Sequence, residues 1–401
     1  MQSYNRKVGA VIIMHPNHNN YGTSLQGFAT IKILEKLGYS FKIIRYSKKR
    51  VLKEIIATFP GLIRSGALKI LMTQLLKRLD KKIHKEYASN VAIRTQVVNA
   101  FKAKYFDSIS DYYTRYVDLQ KGAYNYDVIF VGSDQVWGPL SLYSRFYNLL
   151  FVDKSIPTFS YASSFGVSKV FPWQIKETKK YLDKIDLIGV REKNGKEIVD
   201  SISKNKAQVV ADPTMLLSLK EWTEYAAESN AVIKEPYILS YVLGSRKDVR
   251  DEIMKLGVAT GLKILSFRHL DWYEPQDVNF GDIPVFNADP LDFIKLLSNA
   301  EYICTDSFHG TIFSIIFHKK FLTFYRQLPN KTTSTHSRID SLLELFNLKN
   351  RLSLNFDAYQ QIIQEIDYED VDDKLIKFRD NSIEFMKNGL KIKSNANSTN
   401  K

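Results

Sequence analysis

Cysteine is almost missing: Cys304 stands alone among 401 residues, so no intrachain disulfide can form and the fold must hold by packing. Long apolar runs are missing too. Nowhere do 18 apolar residues follow one another, and the first run, Val8 to Met14, has strand length, so no transmembrane helix is expected. No charged start followed by an apolar stretch and a cleavage site opens the chain, and a cytoplasmic location is the default expectation. Neither a Walker-type loop nor a Gly-x-Gly-x-x-Gly turn occurs, which argues against nucleoside triphosphates and NAD. His15-x-x-His18 is the only close histidine pair and no Cys or Glu cluster supports it, so neither a metal nor another cofactor is expected.

What is present reads as globular, with 44% hydrophobic and 25% charged residues, and the length favours two domains. Lys and Arg number 57 against 43 Asp and Glu, a net charge of +14. Residues 42–105 hold 16 of the basic and only 3 of the acidic residues, which leaves the rest nearly neutral. No recognition motif accompanies this charge, so nucleic acid is not an expected partner. Between Pro60-Gly61 and Lys85, Leu68, Leu71, Leu75, Leu76 and Leu79 recur at helical spacing among lysines and arginines. Two readings stay open for this basic helical segment, 50–105. It is a solvated face over a core stripe, or it lies on anionic lipid and makes the protein peripheral at the inner face of the cell membrane.

Around this segment, apolar strands alternate with helical patterns. Val8–Met14, Phe41–Arg45, Tyr126–Val131, Thr158–Ala162, Leu187–Val190 and Gln208–Ala211 read as strands, followed by a second series from Tyr237–Leu243 to Phe321–Tyr325. Thr23 is the predicted cap of the first helix. The expected fold class is α/β, with two Rossmann-like domains facing a cleft: residues 1–210 with the insertion at 50–105, and residues 211–350. Helices over 351–387 and a mobile tail over 388–401 complete the expected layout.

Polar clusters fall just beyond strand ends, where doubly wound sheets bind ligands. They are Asn20-Tyr21-Gly22 with Leu25-Gln26, Gly132-Ser133-Asp134-Gln135-Val136-Trp137, and Tyr161-Ala162-Ser163-Ser164-Phe165-Gly166. Arg191-Glu192, Ala211-Asp212-Pro213-Thr214, Asp306-Ser307-Phe308-His309-Gly310 and Ser337-Arg338-Ile339 follow. In this order they resemble the polysaccharide pyruvyl transferase family over most of the chain, outside the basic segment. The resemblance implies a GT-B-like fold and an enzyme that moves pyruvate from phosphoenolpyruvate onto two hydroxyls of one sugar, as a cyclic ketal. The acceptor would be a bacterial cell-surface polysaccharide or its lipid-linked precursor, and phosphoenolpyruvate a co-substrate.

That donor carries a carboxylate and a phosphate, so its site needs cations and N–H donors, with an acid for the methylene carbon and a base for the attacking hydroxyl. His309 is the expected acid–base or phosphate-contacting residue, since imidazole exchanges protons near neutral pH; a capping role is the plain alternative. Asp306 would orient His309 or act as the base, or simply cap a helix. Arg191 matches the family's arginine and is assigned to the donor, with an ion pair to Glu192 as its alternative. Ser307, Gly310 and Thr311 join it on the donor side. Many relatives read Arg-Leu-His where this chain has Ser307-Phe308-His309, so the replacing cation is sought in Arg326, Arg338 or Arg268, in that order. Asn20, Tyr21, Gly22, Ser133, Asp134, Gln135, Ser163 and Ser164 are assigned to the acceptor. Trp137 reads as core and Asp212 as a turn. A nucleotide-sugar-dependent glycosyltransferase on the same scaffold, and a membrane-bound scaffold without catalysis, are the competing readings.

Overall fold

The computed structural model describes residues 4–14, 19–47, 80–138, 142, 145–327, 337–354 and 357–393. Among them, twelve strands form two wholly parallel sheets. The first comprises β1 (Tyr4–Val11), β2 (Tyr39–Tyr46), β3 (Ser110–Tyr113), β4 (Val128–Val131), β5 (Thr158–Ser163), β6 (Leu187–Val190) and β7 (Ala207–Val209), ordered β3-β2-β1-β4-β5-β6-β7. The second comprises β8 (Tyr237–Tyr241), β9 (Lys263–Phe267), β10 (Ile283–Val285), β11 (Tyr302–Thr305) and β12 (Lys320–Thr323), ordered β10-β9-β8-β11-β12. Parallel strands need crossovers, and crossovers cover both faces, so central strands are apolar throughout. In β4, Phe130 enters one core while Ile129 and Val131 enter the other, and all three are fully buried.

Strand order reverses between β1 and β4 in the first sheet and between β8 and β11 in the second. Loops leave in opposite directions at such a point and open a crevice at the strands' carboxyl ends. Helix α1 (Tyr21–Lys36) starts there in the first domain. Asn20 caps it, its Oδ1 accepting from Thr23 N at 3.2 Å, so the predicted cap at Thr23 is displaced by three residues. Ser307 caps α2 (Phe308–Ile316) in the second domain, its Oγ accepting from Gly310 N at 3.3 Å.

Eight of the sixteen basic residues of the 42–105 segment, together with the leucine stripe, lie outside the described residues. The part described is no appendage. Lys85–Phe106 is a crossover helix between β2 and β3 that buries Val98, Phe101 and Phe106 in the first core. It also reaches the second domain: Arg94 donates to the carbonyls of Val285 (2.7 Å) and Phe286 (2.9 Å), and Tyr87 to that of Leu270 (3.2 Å).

The last helix, Tyr368–Lys391, returns to the first sheet. Its Phe385 packs at Gly189, and its Gly389 leaves room for the ring of Phe159. Arg6 donates to the carbonyls of Leu390 (2.8 Å) and Ile392 (2.7 Å). The expected mobile tail from residue 388 is therefore corrected: residues 388–391 are helical and Leu390 is fully buried, while 394–401 lie outside the described residues. No described helix is long and apolar enough to cross a membrane.

Candidate active site

The two switch points face each other across a cavity of about 200 Å³. The first domain supplies Asn20, Thr23, Asp134 and Gln135 to its wall, and the second supplies Asp306, Ser307, Phe308, His309, Arg326 and Arg338. Helices α1 and α2 both point their N-termini at it, one from each domain, and free N–H groups with the helix dipoles favour an anion there.

His309 lies on the first turn of α2, 6% exposed. Its Nε2 faces Asp212 Oδ2 at 3.5 Å, too long for a good hydrogen bond, and has no other partner among the described residues. Nδ1 lies against Gly22, where a Cβ would stand only 2.2 Å away. That missing Cβ is what leaves the ring its place. Gly22→Ala, although helix-favouring by about 1 kcal/mol, is expected to displace the imidazole and cut turnover by roughly 10- to 100-fold. Steady-state kinetics beside a melting curve would separate that loss from unfolding.

Asp212 is the residue the sequence reading placed wrongly, and only in part. It does cap a short helix, with Oδ1 accepting from Thr214 N (3.1 Å) and Thr214 Oγ1 (2.8 Å). Its other oxygen is a hub, accepting from Ser133 Oγ (3.0 Å) and Arg191 Nη1 (3.1 Å) and facing His309. Burial works to raise the Asp212 carboxyl, but His309, Arg191 and the Thr214 N–H outweigh it and hold the group well below its ordinary range. Asp134 follows the same pattern: burial raises it, while Arg191, His309, the Thr23 hydroxyl (2.8 Å) and Arg338 hold it down. Thr23, expected only as a cap, is thus a wall residue that fixes Asp134.

Arg191 does not reach the cavity. Its side chain is fully buried between Asp134 (3.4 Å), Glu192 (3.7 Å) and Asp212 (3.1 Å), over the Phe308 ring at 4.5 Å. An arginine already neutralised by carboxylates is a poor donor clamp, so its assignment to the donor gives way to positioning Asp134 and Asp212. Asp306 lines the cavity, but its oxygens accept from Leu243 N (2.8 Å) and Gly244 N (2.7 Å). It ties the β8 and β11 loops together and is no free base; the carboxylate facing His309 belongs to Asp212.

Arg326 and Arg338 both line the cavity, while Arg268 does not. Arg326 leans on Asp306 (3.8 Å) with its side chain 35% exposed. Arg338 forms no ion pair among the described residues; Gln135 turns its amide oxygen to it, accepting from Nη1 (2.6 Å) and Nη2 (3.0 Å). Burial and the nearby Arg191 lower its pKa to about 10, so it stays charged at neutral pH.

Other expected contacts turn inward. Tyr21 is fully buried, its ring stacked on Phe293 (4.9 Å) and its hydroxyl donating to the Ala288 carbonyl. Ser133 and Ser163 are fully buried in backbone and Asp212 contacts, and Ser164 donates to Glu192 Oε1 at 2.7 Å. Thr311 bonds the Ser307 carbonyl and Thr323, and Gly310 packs against Thr305. Of the acceptor set, Asn20, Asp134 and Gln135 line the cavity. Trp137 is core, donating to the Tyr147 carbonyl.

A sequence model of the polysaccharide pyruvyl transferase family matches residues 20–327. No curated protein matches the chain by sequence. Among solved structures, UDP-N-acetylglucosamine 2-epimerase from Rickettsia bellii is similar over 96% of this chain and 97% of its own, with 11% identity and a TM-score of 0.51. Another UDP-N-acetylglucosamine 2-epimerase covers 96% and 94% with 11% identity and a TM-score of 0.50. Likeness at that identity shows the fold alone, the GT-B arrangement of two Rossmann-like domains.

Proposed function

The chain belongs to the polysaccharide pyruvyl transferase family, and from that premise we propose that it moves pyruvate from phosphoenolpyruvate onto two hydroxyls of one sugar, forming a cyclic ketal. The observation that carries this reading is one cavity holding His309, backed by Asp212, together with Arg326, Arg338 and two helix N-termini. Such a wall suits a small molecule with two anionic ends. Arg338 and Arg326 take the carboxylate and phosphate, aided by N–H groups at the starts of α1 and α2.

His309 then gives a proton to the methylene carbon, C3, as C2 becomes oxocarbenium-like and the first sugar hydroxyl adds to it. That hydroxyl's proton returns to His309. Loss of phosphate regenerates the electrophilic C2, the second hydroxyl closes the ring, and its proton leaves with phosphate. Asp212 is a positioning residue throughout, its carboxylate facing the imidazole from outside the cavity wall.

Phosphoenolpyruvate should raise the melting temperature, and UDP-N-acetylglucosamine should not; the reverse result would favour a nucleotide-sugar enzyme. Phosphate release without a ketal on the acceptor would refute both. Arg338→Ala is expected to weaken phosphoenolpyruvate binding by roughly 10- to 100-fold, the loss of one charge-assisted contact, as read by calorimetry. Arg338→Lys should recover only part of it, because an ammonium lacks the planar fork.

A further inference from the structure

An open pair of aromatic rings lies outside the cavity. Phe171 and Trp173 stack with centroids 4.6 Å apart and planes within 9°, yet they are 37% and 48% exposed. Adjoining exposed apolar side chains, unlike ones scattered singly, are a mark of ligand-binding surfaces. The pair sits on the segment that follows β5. On that segment Gly166, at φ +65°, packs against Gln135 of the cavity wall, where a Cβ would meet the end of its side-chain amide at 2.7 Å. Phe171 comes five residues later, so the chain places it within about 18 Å of Gly166 even when fully extended. Along the sequence, exposed Lys169 precedes and exposed Lys176 follows the rings, and neither is in an ion pair among the described residues.

Each ketal formed leaves one pyruvate carboxylate on the polymer. A polysaccharide modified at successive sugars therefore becomes an anionic chain with flat, C–H-lined rings. We propose that Phe171 and Trp173, with Lys169 and Lys176, form a saccharide subsite outside the cavity that takes an already ketalised stretch of the acceptor. The rings carry the sugar faces and the ammonium groups meet the ketal carboxylates. This inference rests on the pyruvyl-transfer reading.

Two probes test it: an oligosaccharide carrying pyruvate ketals, and the same oligosaccharide after mild acid has removed them. Wild-type protein should bind the ketalised form roughly tenfold more tightly by calorimetry, with the preference shrinking as salt rises. Phe171→Ala/Trp173→Ala should lose affinity for both forms, and Lys169→Gln/Lys176→Gln only the preference. Both double variants alter exposed side chains, so folding and turnover on a short acceptor should stay at wild-type level. Equal binding of the two oligosaccharides by wild type, or unchanged binding by the aromatic variant, overturns the subsite. If phosphate is never released from phosphoenolpyruvate with any acceptor, it is the reaction that fails, and the binding comparison still reads the subsite separately.

Discussion

His309→Ala lowers the rate of phosphate release from phosphoenolpyruvate by roughly 10²- to 10⁴-fold, the usual contribution of a placed acid–base group. The fold should barely notice. Nε2 makes no full hydrogen bond among the described residues, and Asp212 keeps Ser133, Thr214 and Arg191 when the imidazole is gone. The informative readout is the split between constants. If His309 moves protons, kcat falls while KM for phosphoenolpyruvate stays near its starting value. If it only touches phosphate, KM rises and kcat survives, and the assignment of the proton to His309 is wrong.

Asp212→Asn strikes stability as well as turnover. Asparagine can still accept at Oδ1 from Thr214, but its other atom becomes an amide nitrogen facing Arg191 Nη1, the Ser133 hydroxyl and His309. Breaking a buried pair while leaving its cation inside costs about 3–5 kcal/mol, which urea unfolding at pH 7 would measure. The pH dependence has a definite sign. Burial opposes ionisation, yet His309 and Arg191 hold the folded carboxyl below its unfolded value of about 3.9. Its stabilisation is therefore complete above that value and is lost as pH falls through the folded pKa. Wild type and Asp212→Asn should differ most at neutral pH and converge in acid. A constant gap down to low pH would mean that the charge of Asp212 contributes nothing.

Much of the fold was legible because buried parallel strands must be apolar on both faces, as β4 and β8 are. The strands missed lack that signature. β3 is a half-buried edge of Ser110, Asp111 and two tyrosines, and β10 is three residues around Pro284. The helix Lys85–Phe106 falls inside the segment read as helical, but its run of positive charge concealed that Arg94 and Lys102 are buried beside an apolar stripe that enters the core.

The site was legible as a set of loops and not as a set of partners. Asp306 and His309 are neighbours in sequence, which suggested a pair. Asp212 comes from another element, and only the folded chain brings its carboxylate to the imidazole. Arg191 matched a family position, but nothing in its local sequence tells that Asp134 and Asp212 already enclose it. Arg338 follows residues outside those described, and only the folded chain shows it on the cavity wall without a carboxylate partner among the residues described.

Tyr21 has a mechanical consequence. It opens the helix whose N-terminus faces the cavity, yet its ring is sunk among Tyr241, Phe267 and Phe293 of the other domain, with the Arg94 guanidinium above it. The spacing between Gly22 and His309 is thus set by a bolt through the seam. Under the proposed reaction, that fixed gauge would then sort donors by size as well as by charge.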